Sequence, residues 1–211
     1  MKVVIDFETN GNGVNKKNDW KPYDESEMPL PRPNYPIELS ACLFDDDGNI
    51  HATHTWIIKG ATRLDPWVLE HVPNASIENC NTNGLTFVET LKQLKSFMND
   101  ECMTIIGHNI EYDYKDVLMT VDKEEEDSTE LIDFFGECPT FCTCVNDFTL
   151  KAKNPRPMAY YYYKIQKWIG PRLGQLAQFL KVEYDDEKAH SSAYDVDITY
   201  QCYLKIANHQ K

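Results

Sequence analysis

Long hydrophobic runs are absent from this sequence. None of its apolar stretches approaches the roughly 18 residues that a membrane-spanning helix needs. The first apolar run covers only residues 3–5 before Asp6 ends it, which is too short for the apolar core of a secretory signal peptide. We therefore expect an intracellular protein, in the cytoplasm or the nucleus, with no membrane partner.

The sequence has seven cysteines, which is an odd number. An odd number cannot pair completely into disulfides, so free thiols in a reducing compartment are expected. Cys138, Cys142 and Cys144 lie close together in CPTFCTC, and a zinc module is one interpretation of that cluster. Zinc normally takes four ligands in paired spacings, and the sequence offers no evident fourth ligand nearby.

Acidic residues are absent from the segment 148–182, in a chain whose formal net charge is −13. The basic residues of this segment are Lys151, Lys153, Arg156, Lys164, Lys167, Arg172 and Lys181. The net charge therefore divides into +7 on this segment and −20 on the rest of the chain. Because strong negative charge repels polyanions, this segment is the part of the chain best suited to contact one.

Residue patterns predict both strands and helices, as in an α/β protein. We expect one domain over residues 1–211. Strands are predicted over 2–7, 37–44, 50–58 and 102–109, and helices over 85–100, 110–121, 171–180 and 191–208. Residues 10–36 are rich in Asn, Gly, Pro and charge, which predicts a long loop insertion. We predict a mixed sheet covered by helices, in which three antiparallel strands are followed by strands parallel to the first.

Two carboxylates end the first predicted strand, in the stretch VVIDFET. Side chains alternate along a strand, so Asp6 and Glu8 are expected on one face and Phe7 on the other, in the core. Adjacent like charges are unfavourable without a positive charge between them, and no Lys or Arg follows Lys2 in this stretch. A divalent cation would satisfy the pair, and a solvated strand end is the alternative interpretation.

Two further carboxylates are expected at the same edge of the sheet, where strands end and helices begin. Asp113 lies in the first turn of the helix after IIGHN, and Asp195 lies in the first turn of the last helix. Both have structural explanations, since Asp113 can complement a helix N-terminus and Asp195 can form a capping box with Ser192. His190, just before the last helix, can be a surface histidine.

Taken together, the motifs DFET, HNIEYD and HSSAYD resemble the DEDDh 3′–5′ exonuclease family. The resemblance extends over residues 2–206 and includes D-x-E, an aspartate after an H-N turn, and H-x-x-x-x-D. RLGQLAQFL also resembles the family's helix before the third motif. A related group has a catalytic tyrosine four residues before the last aspartate, where this chain has Ser191. His190, five residues before Asp195, indicates the histidine type.

The resemblance implies a ribonuclease H-like fold with a five-stranded sheet and hydrolysis of phosphodiester bonds from 3′ ends of DNA or RNA. It implies release of nucleoside 5′-monophosphates with two divalent cations, Mg²⁺ or Mn²⁺. Asp6 would bridge both ions, Glu8 and Asp195 would complete the first site, and Asp113 would hold the second ion through water. His190 would accept a proton from the attacking water, for which its ordinary pKa of about 6.5 is suited.

Substrate contacts are expected outside these carboxylates. The candidates are Thr9, Asn10, His108, Asn109, Lys164 and Lys167. By resemblance, Thr9 and Asn10 would touch the terminal nucleotide. The aromatic and basic stretch PRPMAYYYYKIQKW is able to stack bases and track phosphates. The alternative is that residues 160–163 form a strand or a packed loop that supports the core. Negative charge elsewhere favours single-stranded or short 3′ ends over long duplexes.

A non-catalytic nucleic-acid-binding adaptor on the same fold is the main alternative function. Such an adaptor is expected to lack one or more of the five signature residues, and all five are present. The chain departs from the family pattern in its long loop after DFET and at Ser192, where a small apolar residue is frequent. A nucleophilic serine mechanism has little support without a G-x-S-x-G motif. The residues do not specify a polymerase or another protein partner.

Overall fold

The computed structural model describes residues 1–11, 34–73, 75–123, 128–152, 158–162 and 167–209. The strands of its five-stranded sheet are β1 (Lys2–Thr9), β2 (Pro36–Phe44), β3 (Ile50–Ile57), β4 (Thr104–Gly107) and β5 (Thr140–Cys142). Their order is β3-β2-β1-β4-β5. Strands β1 to β3 pair antiparallel, whereas β1–β4 and β4–β5 pair parallel. The predicted mixed sheet is therefore confirmed.

Helices cover the sheet, and a small ribbon forms a second, two-stranded sheet. The α-helices are α1 (Pro66–His71), α2 (Ile77–Asn83), α3 (Phe87–Phe97), α4 (Thr129–Glu137), α5 (Asp147–Lys151), α6 (Leu173–Leu180) and α7 (Ser192–His209). A π-helix (Tyr112–Val117) leads into a 3₁₀-helix (Leu118–Lys123). The ribbon consists of two antiparallel strands, β6 (Tyr160–Tyr162) and β7 (Lys167–Ile169).

Strand β1 lies at the centre of the sheet and is packed on both faces. Ile5 belongs to the buried cluster that includes Leu91 of α3. Val4 points to the opposite face and belongs to the cluster that includes Val196 of α7. Because side chains alternate, the two carboxylates at the end of β1 share the Val4 face and point toward α7.

The structure corrects two details of the predicted elements. The segment 110–121 is helical as expected, but most of it is π- and 3₁₀-helix. The strand predicted over 102–109 spans only Thr104–Gly107. Elements α1, α2, α4, α5, β5 and β7 have no predicted counterpart, because each is nine residues or shorter and carries a weak periodic signal. Strand β6 falls within residues 160–163, for which a strand is one of the two interpretations.

Much of the predicted loop insertion, residues 12–33, lies outside the described residues. Its two ends are held together, since the backbone N–H of Asn34 donates to the carbonyl of Gly11 at 2.8 Å. Within the described ranges, no helix is both long and apolar enough to cross a bilayer. The expectation of a single domain stays a prediction.

Candidate active site

The end of β1 presents its two carboxylates to a common face. Asp6 lies opposite Ser40 of β2, and Glu8 lies opposite Glu38. Phe7 points the other way and is buried, with its ring packed edge-on against a phenylalanine of α3 at a centroid distance of 6.2 Å. The alternation predicted from VVIDFET therefore holds, and Glu38 adds a third carboxylate to the face.

Asp113 reaches the same edge of the sheet from the π-helix. Its side chain is only 4% exposed. Its Oδ1 atom accepts the backbone N–H of Phe7 at 3.0 Å, a bond between residues 106 apart in sequence. The carboxyl group therefore lies beside the backbone between Asp6 and Glu8. A helix-terminus role alone does not account for this position.

The third motif approaches from the start of α7. His190 adopts a left-handed backbone conformation with φ of 65°, and its N–H donates to Asp195 Oδ2 at 3.3 Å. The other oxygen, Oδ1, is buried and has no hydrogen-bond partner within the described parts of the chain. A buried carboxylate oxygen without a partner is costly, so this atom is suited to a cation.

Glu8, His190 and Asp195 together form a candidate metal group. Each offers one ligand atom, and these atoms all lie within 4.8 Å of one another. His190, predicted to accept a proton, is thus also near enough to be a ligand. In the described ranges no cysteine belongs to such a group, so the zinc interpretation of CPTFCTC finds no support there.

Burial raises the pKa of each of the four predicted carboxyl groups, and repulsion from neighbouring carboxylates adds to the rise at Asp6, Glu8 and Asp113. Burial is the largest cause, raising the pKa of Glu8 to about 9, of Asp113 to about 7 and of Asp195 to about 6. The pKa of Asp6 lies well above its ordinary value, through burial first and then repulsion from Asp113 and Glu8. Crowded carboxylates retain protons unless a cation compensates them, so the residues fit a divalent metal.

Two aromatic side chains of α1 flank the ring of His190. Trp67 meets it edge-on at 4.9 Å between centroids, and His71 lies 6.5 Å away and stacks on Trp67. Burial, followed by repulsion from His71, lowers the pKa of His190 below its ordinary value. A neutral imidazole at pH 7 is able to accept a proton. Sequence reasoning missed both α1 residues, because a helix of six residues has no readable period.

A chain of hydroxyl groups, of which those of Ser40 and Ser192 are buried, ties β2 to the third motif. The Ser192 hydroxyl donates to Glu38 Oε1 at 2.5 Å and lies 2.6 Å from Ser40 Oγ. Ser40 Oγ in turn lies 2.7 Å from Thr55 Oγ1. Ser192 therefore binds Glu38, and the capping box considered for Asp195 does not involve its hydroxyl. The unusual serine at 192 was the one sequence signal for this network.

Thr9 and Asn10, the substrate contacts predicted just after β1, form hydrogen bonds with other residues of the protein. Thr9 Oγ1 lies 3.1 Å from the hydroxyl of Tyr112, which donates to Asn34 Oδ1 at 3.2 Å. Asn10 is only 1% exposed, and its Oδ1 accepts the N–H of Tyr35 at 2.9 Å. Both residues close the base of the loop insertion. Their contact with a nucleotide stays a prediction, and the burial of Asn10 argues against a direct one.

His108 is also bound internally rather than directed at a ligand. Its Nε2 donates to the carbonyl of Pro171 at 3.0 Å, and its Nδ1 lies 3.0 Å from Thr143 Oγ1. Burial lowers its pKa to about 4, so the ring is neutral at pH 7. Since both ring nitrogens have partners, His108 ties the end of β4 to Thr143 and Pro171. Its contact with a substrate stays a prediction.

Of the remaining candidate substrate contacts, Asn109 and Lys167 are exposed, and Lys164 lies outside the described residues. Asn109 has a left-handed backbone with φ of 64°. Lys167 lies at the start of β7. Asn109 and Lys167 are thus accessible to a ligand, and their role stays a prediction.

No protein-family model matches the chain, and no curated protein matches it in sequence. Solved structures of exonuclease I match its fold. A zinc-bound complex of E. coli exonuclease I with single-stranded DNA has a TM-score of 0.64 at 14% identity, covering 100% of this chain and 41% of that one. Exonuclease I from Methylocaldum szegediense has a TM-score of 0.67 at 17% identity, covering 99% and 40%.

A complex of E. coli exonuclease I with a dT13 oligonucleotide gives the same result, with a TM-score of 0.63 at 15% identity, covering 98% and 40%. The chain spans about two-fifths of the length of the protein chains in these three structures. At such low identity the likeness establishes the fold alone. The chain has the ribonuclease H-like fold of exonuclease I, as the resemblance in its motifs predicted.

Proposed function

We propose that the chain is a metal-dependent 3′–5′ exonuclease of the DEDDh type, which releases nucleoside 5′-monophosphates from nucleic acid 3′ ends. One observation carries the proposal. Carboxyl groups from three distant parts of the sequence, on β1, the π-helix and α7, meet at one sheet edge beside His190. Such crowding is unfavourable in a merely structural site.

The residues fit a pair of divalent cations. Asp6, Glu8 and Asp195 would hold them, with Asp113 as a further ligand, and the unpartnered Oδ1 of Asp195 is the best evidence for this fit. When bound, such cations align the attacking water and the leaving oxygen and stabilise the developing charge. Magnesium and manganese both suit carboxylate oxygens.

His190 supplies the proton acceptor in this proposal. Its lowered pKa keeps the imidazole neutral near pH 7, so a ring nitrogen is available to take the proton of the attacking water. Trp67 and His71 pack against the ring and limit its orientation. Asp113, fixed by the N–H of Phe7, positions its carboxyl group against β1.

Single-stranded DNA is the first substrate to test. Two of the matching exonuclease I structures are complexes with single-stranded DNA or a dT13 oligonucleotide. The acidity of this chain outside residues 148–182 supports the same choice, because it disfavours binding to long duplexes. Single-stranded RNA of matched sequence tests the alternative.

The proposal is tested with a 5′-fluorescein 20-nucleotide strand in Mg²⁺, Mn²⁺ or EDTA. We expect a ladder shortening from the 3′ end, mononucleotide product by mass spectrometry, and no reaction in EDTA. Asp6→Asn, Asp195→Asn and His190→Ala should each lower kcat by at least about 100-fold while the protein stays folded. Asp197→Asn, an exposed aspartate on α7, is the matched control and should keep full activity.

Full activity of Asp195→Asn would contradict the metal assignment. Binding of the strand without hydrolysis, in Mg²⁺ and in Mn²⁺, would instead support the adaptor alternative. Endonucleolytic products from a circular single strand would contradict the requirement for a 3′ end.

A further inference from the structure

The β6–β7 ribbon exposes an unusual number of aromatic rings. Tyr160 is 48% exposed, Tyr162 is 40% exposed and Trp168 is 53% exposed. Large aromatic side chains left in water on one small element are typical of binding surfaces. We call these two strands, Tyr160–Tyr162 and Lys167–Ile169, the aromatic ribbon.

The pairing of the ribbon sets the spacing of its rings. Tyr160 and Tyr162 share one face, since they are two residues apart on β6, and Lys167 lies opposite Tyr162. Side chains two residues apart on a strand are separated by about 7 Å. That distance is about twice the 3.4 Å separation of stacked bases, so one base fits between two such rings.

The opposite face of the ribbon holds its tryptophan. Tyr161 is half-buried and packs edge-on against Trp168, with 5.4 Å between ring centroids. The contact limits the orientation of the indole and still leaves half of it exposed. A ring fixed in this way loses less conformational entropy when a base stacks on it.

Charge restricts the kind of ligand that suits the ribbon. It lies within the segment 148–182, which has no Asp or Glu and carries +7, whereas the rest of the chain carries −20. An acidic protein surface would use the positive charge but not the exposed rings, and a purely apolar surface would use the rings but not the charge. A polyanion with stackable rings fits both features, and single-stranded nucleic acid is such a ligand.

The ribbon is attached to the sheet edge that carries the candidate active site. Pro171, two residues after β7, accepts hydrogen bonds from His108 Nε2 at 3.0 Å and from Cys144 Sγ at 3.3 Å. His108 directly follows β4, the strand that pairs with β1. At the other end, the N–H of Ala159 donates to the carbonyl of Thr149 at 3.1 Å.

We propose that the aromatic ribbon binds unpaired nucleotides of the substrate, on the 5′ side of its 3′-terminal residue, by stacking their bases. This inference rests on the proposed exonuclease function and names the part of the substrate that lies outside the metal site. Paired bases are already stacked within a duplex, so the ribbon selects single strands. It also makes the apparent affinity increase with strand length.

The test compares a substrate too short to reach the ribbon with one that can reach it. Thymidine 5′-p-nitrophenyl phosphate is the short substrate, and dT12 is the long one. Tyr160→Ala, Tyr162→Ala and Trp168→Ala should each raise KM for dT12 by about 5- to 100-fold, the effect of one lost stacking contact. Their kcat/KM for the small ester should stay within twofold of the unaltered protein.

Two controls separate stacking from folding. Tyr160→Phe keeps the ring and should retain the KM of the unaltered protein for dT12. Ile50→Ala removes an equally exposed apolar side chain at the start of β3 and should have no effect. Equal losses on the ester and on dT12, or unchanged KM for dT12 in all three alanine variants, would overturn the proposal.

Binding is measured separately from hydrolysis, so that failure of the exonuclease proposal is distinguishable. Fluorescence anisotropy of 3′-fluorescein dT12 in EDTA reports affinity without any cleavage. Weaker binding in the alanine variants supports the ribbon even if the protein hydrolyses neither substrate. Unchanged anisotropy titrations for the three variants would overturn it whether or not the protein is a nuclease.

Discussion

Ser192 is the residue at which this chain departs from the family motif, and its buried hydroxyl gives the departure a structural role. It links Glu38 on β2 with the start of α7, two residues after His190 and three before Asp195. Glu38 lies opposite Glu8, so the same bond fixes a carboxylate next to the candidate metal group. The serine thus couples two elements that both line the site.

Ser192→Ala should weaken both the fold and the metal site. It removes the hydroxyl that donates to the Glu38 carboxylate and one of the two partners of the buried Ser40 hydroxyl, which costs about 1–3 kcal/mol of unfolding free energy. Loss of this outer support should also raise the Mn²⁺ concentration for half-maximal activity by about 10-fold. Urea denaturation and a Mn²⁺ titration of activity measure the two effects.

Ser191→Ala is the matched control, since Ser191 is adjacent and its side chain makes no hydrogen bond among the described residues. It should leave both quantities unchanged. A Ser192→Ala variant with native stability and native Mn²⁺ dependence would contradict the role assigned to the hydroxyl.

At the scale of elements, short irregular segments position much of the site. The π-helix carries Asp113, and the turn between β5 and α5 carries Thr143, the partner of His108. Asn146 holds that turn, because its Nδ2 donates to the carbonyls of Cys142 and Thr143 at 2.8 and 2.9 Å. Its Oδ1 also accepts the first free N–H groups of α5.

Asn146→Ala should destabilise the protein by about 2 kcal/mol, the upper part of the range for losing a helix cap, because bonds to β5 are lost as well. Asn146→Asp retains the capping oxygen but not the two donors, so its cost should lie between the alanine variant and the unaltered protein. Urea denaturation midpoints give the comparison. Equal stability of all three proteins would show that this turn forms without the side chain.

At the scale of the whole molecule, the site concentrates negative charge in an already acidic protein. The folded, metal-free protein holds protons on carboxyl groups whose pKa values are raised to about 6, 7 and 9 at Asp195, Asp113 and Glu8. An unfolded chain releases these protons near pH 4. Stability from these groups is therefore fully present below about pH 4 and is lost as pH rises from there through these values.

We expect the melting temperature of the metal-free protein to fall between pH 5 and pH 9. Saturating Mg²⁺ or Mn²⁺ should raise it more at pH 8 than at pH 5, because cations bind the deprotonated groups. Thermal denaturation in EDTA and in each metal measures both effects. The double variant Asp6→Asn, Asp195→Asn should flatten the pH dependence and abolish the metal effect; an unaltered profile in this variant would contradict the assignment.

How far the sequence predicts the site depends on where each residue lies. Asp6 and Glu8 are predictable because strand alternation is local. Asp113 and Asp195 are predictable because motif spacing places them at the starts of helical segments. Asn10 shows the limit, since the family resemblance predicted a contact with the terminal nucleotide, whereas the fold buries the side chain against Tyr35.

The sequence by itself determined the order of strands β1 to β4 and of the long helices, and the identity of the residues that carry the proposed chemistry. Periods of two and of 3.6 residues and short motifs are local patterns, and they survive without knowledge of the fold. Only the tertiary structure decided which side chains surround those residues. Ser40 and Ser192 are in contact across 152 residues, and His108 and Pro171 across 63, and contacts at such separations leave no periodic trace in a sequence.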